Sequence, residues 1–540
     1  MKKILMVLLG LFMPMILWAQ QPPQTFRNPI ISGFHPDPSI CRVGEDYYLA
    51  NSSFEWFPGV PIYHSKDLVN WEVIGYALHR KEQLPELIDT KTSRGIYAPT
   101  LRYHGGLFYM ITTCVSCGGN FYVTAENPAG PWSDPVWLED AKGIDPSLFW
   151  DEDGRCWYTG AGRVKQLAEP WKNQNGVWLQ ELDLKQGKLV GEKYQLTHGH
   201  GATAQYTEGP HLYKINGRYM LMVAEGGTGF NHAITVFESD HITGPYTPSQ
   251  VNPVLTHRHL GKDYPINTIG HGDLVQTQHG DWWAVMLGKR QVNGSYLLAR
   301  ETFLTPVSFE NRWPVFNPGT GKVLELDKRP DLPWSPIERA SEKDEFETSQ
   351  LRLEYNFLRT PQSDWYSIRN GKLAIKLRSE QCTDEQANPS MIVRRIEDHH
   401  FTASTALEFK TKNENEVAGL VAFRNAECHY SLTLNGKILQ LTKVEKGKVE
   451  TVAKVPYTHK KVVLQVSCAA GMMTFYYGES EEKMTPIEAA QTASTLADET
   501  SGGFNGPYIG IYASSQGKPS NNTAYFDWFE YRKFENEIEN

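Results

Sequence analysis

The sequence predicts an all-β protein, a five-bladed β-propeller followed by an antiparallel β-sandwich. Three observations point there. One segment type recurs five times along the first three-fifths of the 540-residue chain, and repeats of this kind mark propellers and solenoids. Apolar residues almost never recur at the i, i+3, i+4, i+7 spacing of a helix. With 15 Trp, 26 Tyr and 23 Phe, the chain is also rich in residues that favour strands.

The elements follow in order. Residues 1–20 read as a secretory signal: Lys2-Lys3 supply the positive start, Ile4 to Trp18 an apolar run, and Ala19 a small residue at the cleavage point. The run falls short of the roughly 20 residues of a spanning helix, and Pro14 interrupts it. The mature chain is therefore expected to be exported, periplasmic or secreted, without membrane insertion.

The propeller is expected over 25–330. Its five units are Asp37-Pro-Ser-Ile with GEDYYLA, Ala98-Pro-Thr-Leu with GGLFYMITT, Asp145-Pro-Ser-Leu with DGRCWYTGAG, Glu208-Gly-Pro-His-Leu with NGRYMLMVAEGG, and His271-Gly-Asp-Leu with HGDWWAVMLG. Each holds two strands about a Gly-containing turn. The remaining length in each unit accommodates two more strands, as PIYHSKDLVNWEVIG and FYVTAENPAGPW illustrate. Four strands per unit make one blade.

Residues 331–345 are rich in Pro and mixed charge and read as an exposed linker. Over 346–535 the blade repeat gives way to alternating strands such as TALEFKTKN, AGLVAFRN, KVVLQVSC and TAYFDWFEYRKF, the pattern of a sandwich. The apolar closing strand is expected to pack it against the propeller. Seven Cys are too few and too scattered for a disulfide-built scaffold. Cys114-Val-Ser-Cys117 is either a local disulfide or two free thiols, since a zinc knuckle needs a second pair. A net charge of −9 without any basic block excludes nucleic acid and anionic membranes as natural partners.

In a propeller the innermost strands surround one axis, so equivalent positions of different blades converge. Asp37, Asp145, Glu208 and His271 lead four of the five units, and Pro36, Pro38, Pro146 and Pro210 stiffen the backbone around the acids. An isolated Asp-Pro is usually a turn. Carboxylates gathered in one pocket repel one another and shift their pKa values, a cost that structure alone does not explain. Cleaving a glycosidic bond does explain it, because that reaction needs one carboxylate and one carboxylic acid across the bond.

HPDPS at 35–39, GIDPSLF at 143–149, TEGPHLYK at 207–214, GHGDLV at 270–275 and ARETF at 299–303 resemble the motif set of glycoside hydrolase family 43. The C-terminal half is similar to the concanavalin-like sandwich carried by many xylan-debranching and xylosidase members. The resemblance implies an inverting exo-glycosidase that releases α-L-arabinofuranose or β-D-xylose from plant polysaccharide or oligosaccharide. It makes Asp37 the general base, Glu208 the general acid, and Asp145 the group that raises and orients that acid. Inversion leaves room for a water, so the base and acid carboxyls are expected roughly 6.5–9.5 Å apart. Arg300 resembles the arginine that contacts substrate hydroxyls, against the alternative of a surface ion pair with Glu301. His271 resembles the axial histidine that faces a water-coordinated calcium or sodium ion in many members, against a buried histidine without metal. No cofactor is required. Phe54, Trp56 and Phe57 in SSFEWFPG are candidate sugar-pocket walls or core packing. Tyr97 stands where many members have Trp.

Rival readings are an endo-acting arabinanase, a non-catalytic carbohydrate-binding propeller and a retaining fructosidase. The last lacks its Arg-Asp-Pro block here. The sandwich itself shows no catalytic pairing; it either lends a loop to the pocket rim, binds polysaccharide or serves structure alone.

Overall fold

The computed structural model describes residues 21–162, 171–310, 312–338 and 340–534; the signal-like segment 1–20 lies outside them. Within the described residues, the first part of the chain forms five four-stranded antiparallel sheets. Their innermost strands are Ser39–Val43, Thr100–His104, Ile144–Trp150, Glu208–Ile215 and Ile266–Gln276. Successive innermost strands adjoin, and the last adjoins the first, closing a five-bladed ring.

The turns sit where the sequence places them. Asn216 and Gly217, with φ of 51° and 78°, make the tight connection between Glu208–Ile215 and Arg218–Glu225. Both central residues of such a turn need the left-handed region, which Asn and Gly tolerate. A short clasp completes the ring: Thr25–Arg27 pairs with Leu326–Lys328, so residues from before the first blade and after the last share one ladder. The Asn28 side chain reinforces it by donating to the Leu304 and Leu324 carbonyls.

Residues 343–533 form two packed antiparallel sheets, one of nine strands and one of six. The closing strand Thr523–Lys533 does not lie against the propeller. It is paired on both sides inside the larger sheet, with Lys372–Lys376 and Phe401–Glu408, where Phe526 and Phe529 join the core. Burying its apolar face inside the sandwich satisfies the alternation that had suggested an interface.

Hydrogen bonds to the propeller run through other segments. Phe357–Leu358 of the sandwich side pairs with Trp56–Phe57 of the first blade, and the Arg359 N–H donates to the Glu55 carbonyl. Arg395 Nε donates to the Phe34 carbonyl at 2.8 Å. Trp56 is fully buried, stacked on Tyr508 with ring centroids 3.7 Å apart and edge-on to Phe423. Burial of aromatic area on this scale makes the two parts one body. The linker is fastened to the propeller at Leu332, buried among blade residues, and at Ser335, whose N–H donates to Asp67 Oδ2 at 2.9 Å.

Candidate active site

Two residue layers cross the axis of the ring. The inner layer is a hydrogen-bonded plug. Arg102 reaches both oxygens of Asp273, at 2.7 and 3.1 Å. Ser39 and Tyr213 donate to the same carboxylate, at 2.7 and 2.6 Å. Arg102 and Ser147 each approach His211 Nδ1. Every blade contributes, and the buried charge of Asp273 is held well below the usual carboxylate range, its burial outweighed by Arg102, His211 and Tyr213 together.

The outer layer is the pocket. Asp37, Asp145, Gly209 and His271 each lie two residues before a member of the plug. All four have positive φ, of 52°, 53°, 59° and 47°. Non-glycine residues held there cost about 1–3 kcal/mol each, and such outliers cluster at functional sites. The fourth position of this set is Gly209, and Glu208 lies one residue earlier than its place in the sequence repeat suggests. A side chain at 209 has no room, since its Cβ would lie 2.9 Å from His271 Nε2. Strand pairing is irregular at the same place in both blades, between Ile144 and Ser147 and between Glu208 and His211, so Glu208 stands at the position Ile144 takes in the third blade.

Asp37, Asp145, Glu208, His271, Arg300 and Phe54 line one cavity of about 370 Å³, together with Tyr97 and Tyr206. Arg300 Nη1 donates to Asp37 Oδ1 at 2.7 Å and Ser52 Oγ to Asp37 Oδ2. Glu301 binds Arg290 instead, so the surface pair of Arg300 with Glu301 does not form. His271 Nδ1 stands 4.0 Å from Asp37 Oδ1, and the Gly209 N–H donates to Asp145 Oδ2 at 3.1 Å.

The carboxyls do not share one electrostatic environment. Burial pushes the Glu208 carboxyl well above its ordinary range, with the charges of Asp145 and then Asp37 adding to the rise and Arg300 opposing it. Burial likewise pushes Asp145 up to about 6, against the pull of His271 and with Asp37 adding. Asp37 instead accepts from a guanidinium and a hydroxyl on its two oxygens. A carboxyl pushed toward its proton beside one held by a cation is the pairing that acid–base chemistry requires.

Trp56 is not in the pocket. Phe54 adopts a φ of 50° and the Trp56 N–H donates to the Ser53 carbonyl, so a turn breaks the strand alternation. Phe54 then faces the cavity, Trp56 packs on Tyr508 and Phe423 of the sandwich, and Phe57 is buried in the core. The cavity wall beside Phe54 is Phe504, from the sandwich. The Arg300 guanidinium lies 5.3 Å from the Phe54 ring and 5.6 Å from the Phe504 ring, and its Nη2 donates to the Phe504 carbonyl at 3.0 Å.

Glu55 fixes that wall. Its buried carboxylate accepts from the Ser93 N–H and from Asn505 Nδ2, and Ser93 Oγ accepts the Phe504 N–H at 2.8 Å. Phe504 and Tyr206 were not singled out by motif. The available signals were an aromatic isolated in the glycine-rich run GGFNGP and a Tyr two residues before Glu208. As for an ion near His271, no three His, Cys, Asp or Glu side chains among the described residues group closely enough to hold one. They build no direct ligand set, and no step below runs through a metal.

Residues 26–314 match the family model described as glycosyl hydrolases family 43. The chain belongs to glycoside hydrolase family 43. Residues 343–532 match a second model, the β-xylosidase C-terminal concanavalin A-like domain. A xylosidase/arabinosidase from Butyrivibrio fibrisolvens is 43% identical over 93% of this chain and 98% of its own. A non-reducing end α-L-arabinofuranosidase from Bacteroides ovatus is 42% identical over 98% of each chain. The crystal structure of a xylan β-1,4-xylosidase from Bacillus halodurans superposes with a TM-score of 0.88 at 36% identity, covering 94% of this chain and all of that one. As a member of family 43 with such relatives, the protein is a glycoside hydrolase.

Proposed function

We infer that the protein is an inverting exo-glycosidase that removes terminal α-L-arabinofuranosyl or β-D-xylosyl residues from plant cell-wall polysaccharide or its oligosaccharides. The observation that carries this is the split environment of the carboxyls in one walled cavity. Asp37, held by Arg300 and Ser52, takes a proton from water as its oxygen attacks the anomeric carbon. Glu208, kept protonated by burial and by Asp145, gives its proton to the departing glycosidic oxygen. One carbon–oxygen bond forms as the other breaks, and the configuration inverts. Asp145 and the Arg300–Phe54–Phe504 sandwich hold acid and sugar in place.

A pocket closed on one side by Phe504 suits a chain end rather than a chain middle, which favours the exo reading over an endo-arabinanase. Both pentoses set their hydroxyls alike around the reacting carbon, and relatives bearing both names support either sugar. The apolar run after Lys2-Lys3 supports export to the periplasm or medium.

Hydrolysis of p-nitrophenyl α-L-arabinofuranoside and β-D-xylopyranoside, with Glu208→Ala as control, tests the reading. The wild type is expected to cleave at least one, with the variant silent. A wild type inactive on both, yet active inside a linear arabinan, would replace it with the endo reading.

A further inference from the structure

Phe504 ends a strap of the sandwich whose other end is fastened to the propeller. The strap begins with a single helical turn, Asp498–Ser501, and Asp498 is clamped between two cations from different parts of the chain. Lys289 Nζ, from the strand Trp282–Arg290 of the fifth blade, lies 2.6 Å from Asp498 Oδ2. Arg424, fully buried on the sandwich strand Val417–Asn425, lies 2.6 Å from Asp498 Oδ1. Glu499 adds a second tie to the blade, its Oε2 accepting the Tyr296 N–H at 3.2 Å.

Exposed charge pairs contribute little to holding a structure. Here the Lys289 and Asp498 side chains are only 14% and 15% exposed, and solvent ions screen such a pair weakly. Burial alone would push the Asp498 carboxyl up, yet Lys289 and Arg424 hold it below its ordinary range. Lys289 also reaches the other way, donating to the Thr228 carbonyl at 3.5 Å. Thr228 and Phe504 both line the catalytic cavity, so one ammonium joins two stretches of its wall.

The step from clamp to ring is short. Arg424 Nη2 donates to the Gly502 carbonyl at 3.5 Å, and the Gly502 N–H donates to the Asp498 carbonyl at 2.9 Å. Gly502 and Gly503 then take φ of 61° and 74°, the left-handed region that glycine enters without strain. The chain turns sharply there, so the place where the clamp holds the helical turn sets where Phe504 points.

Resting on the glycosidase reading above, we propose that Lys289 and Asp498 are positioning residues for the sugar pocket. Their ion pair latches the sandwich strap to the fifth blade and thereby fixes Phe504 beside Arg300. Neither residue lines the cavity. The latch governs how tightly the terminal sugar is held and leaves proton transfer alone.

Lys289→Met removes the blade's half of the latch while Asp498 stays paired with Arg424, so no buried charge is stranded. Its KM on whichever p-nitrophenyl pentoside the wild type cleaves is expected to rise about fivefold, with kcat within about twofold. Lys289→Arg is expected to keep the wild-type KM. In a Phe504→Ala background Lys289→Met is expected to add nothing further, because it acts through that ring. Hydrogen exchange over 498–506, expected to be faster in Lys289→Met than in wild type, reads the latch without any substrate. Unchanged exchange, an unchanged KM, or a KM effect that adds fully to that of Phe504→Ala would each overturn the proposal. A wild type silent on both pentosides would overturn the glycosidase reading instead, and the exchange comparison alone would then decide whether the latch exists.

Discussion

Asp37 and Asp145 reach the pocket on strained propeller backbone, anchored two residues further on by a plug that draws a side chain from every blade. Phe504 reaches the same pocket on a loop of the sandwich, held by the Arg300 guanidinium, the Ser93 hydroxyl and, through Asn505, by Glu55. The floor is set by five strands around an axis; the wall is set by a few side-chain bonds between two parts of the chain. The groups proposed to move protons stand on the first kind of support, and a group that shapes the cavity stands on the second. A misplaced carboxyl loses the reaction, whereas a misplaced ring mostly loosens the substrate.

The largest test of that contrast is Asp37→Asn. It is expected to lower kcat by about 10⁴-fold, with affinity for the released sugar, measured by calorimetry, largely retained. Wild-type turnover in this variant would remove the base from the floor.

Asp145→Asn comes next, with an expected loss of about 10²-fold in kcat. Because the Asp145 charge raises the Glu208 pKa, its removal moves the alkaline limb of the kcat/KM profile to lower pH. The same substitution has an opposite consequence for stability. A carboxyl whose folded pKa is raised, here to about 6, favours the fold at low pH and loses that contribution as pH rises through that value. The variant is therefore expected to melt higher than wild type at pH 7, by an amount that shrinks toward pH 4. An unmoved limb would detach Asp145 from the acid.

On the wall, Phe504→Ala is expected to raise KM about tenfold while kcat changes far less. Glu55→Gln is expected to do the same more weakly, by about threefold, because an amide cannot accept from both Ser93 and Asn505. If either lowered kcat as severely as Asp145→Asn, the division between floor and wall would fail.

The floor was the more legible of the two. Repeated Asp-Pro and His-Gly segments sit at one structural position, and a repeat exposes such positions without coordinates. Even there the fourth blade departs, because the His271 ring leaves space for Gly209 alone and Glu208 is displaced by one residue. The Phe54–Phe57 run was legible only in part. Its alternation is broken by the turn at Ser53–Trp56, which sends Trp56 to Tyr508 instead of the sugar. The wall was nearly illegible, since nothing local to GGFNGP says which distant arginine it meets. Pairing between remote segments is specified by packing, not by pattern. The closing strand misled for the same reason: its apolar residues declare that they are buried but not against what.

Phe504 lies 204 residues after the arginine that holds it. During synthesis at about 5–20 residues per second, the blades and all three acids are made roughly 10–40 s before that ring emerges. A nascent chain can thus complete its ring of blades while its pocket still lacks one side. Full cleavage competence is tied to finishing translation, and a chain stopped short of residue 504 would hold every acid in a cavity that cannot close on its sugar.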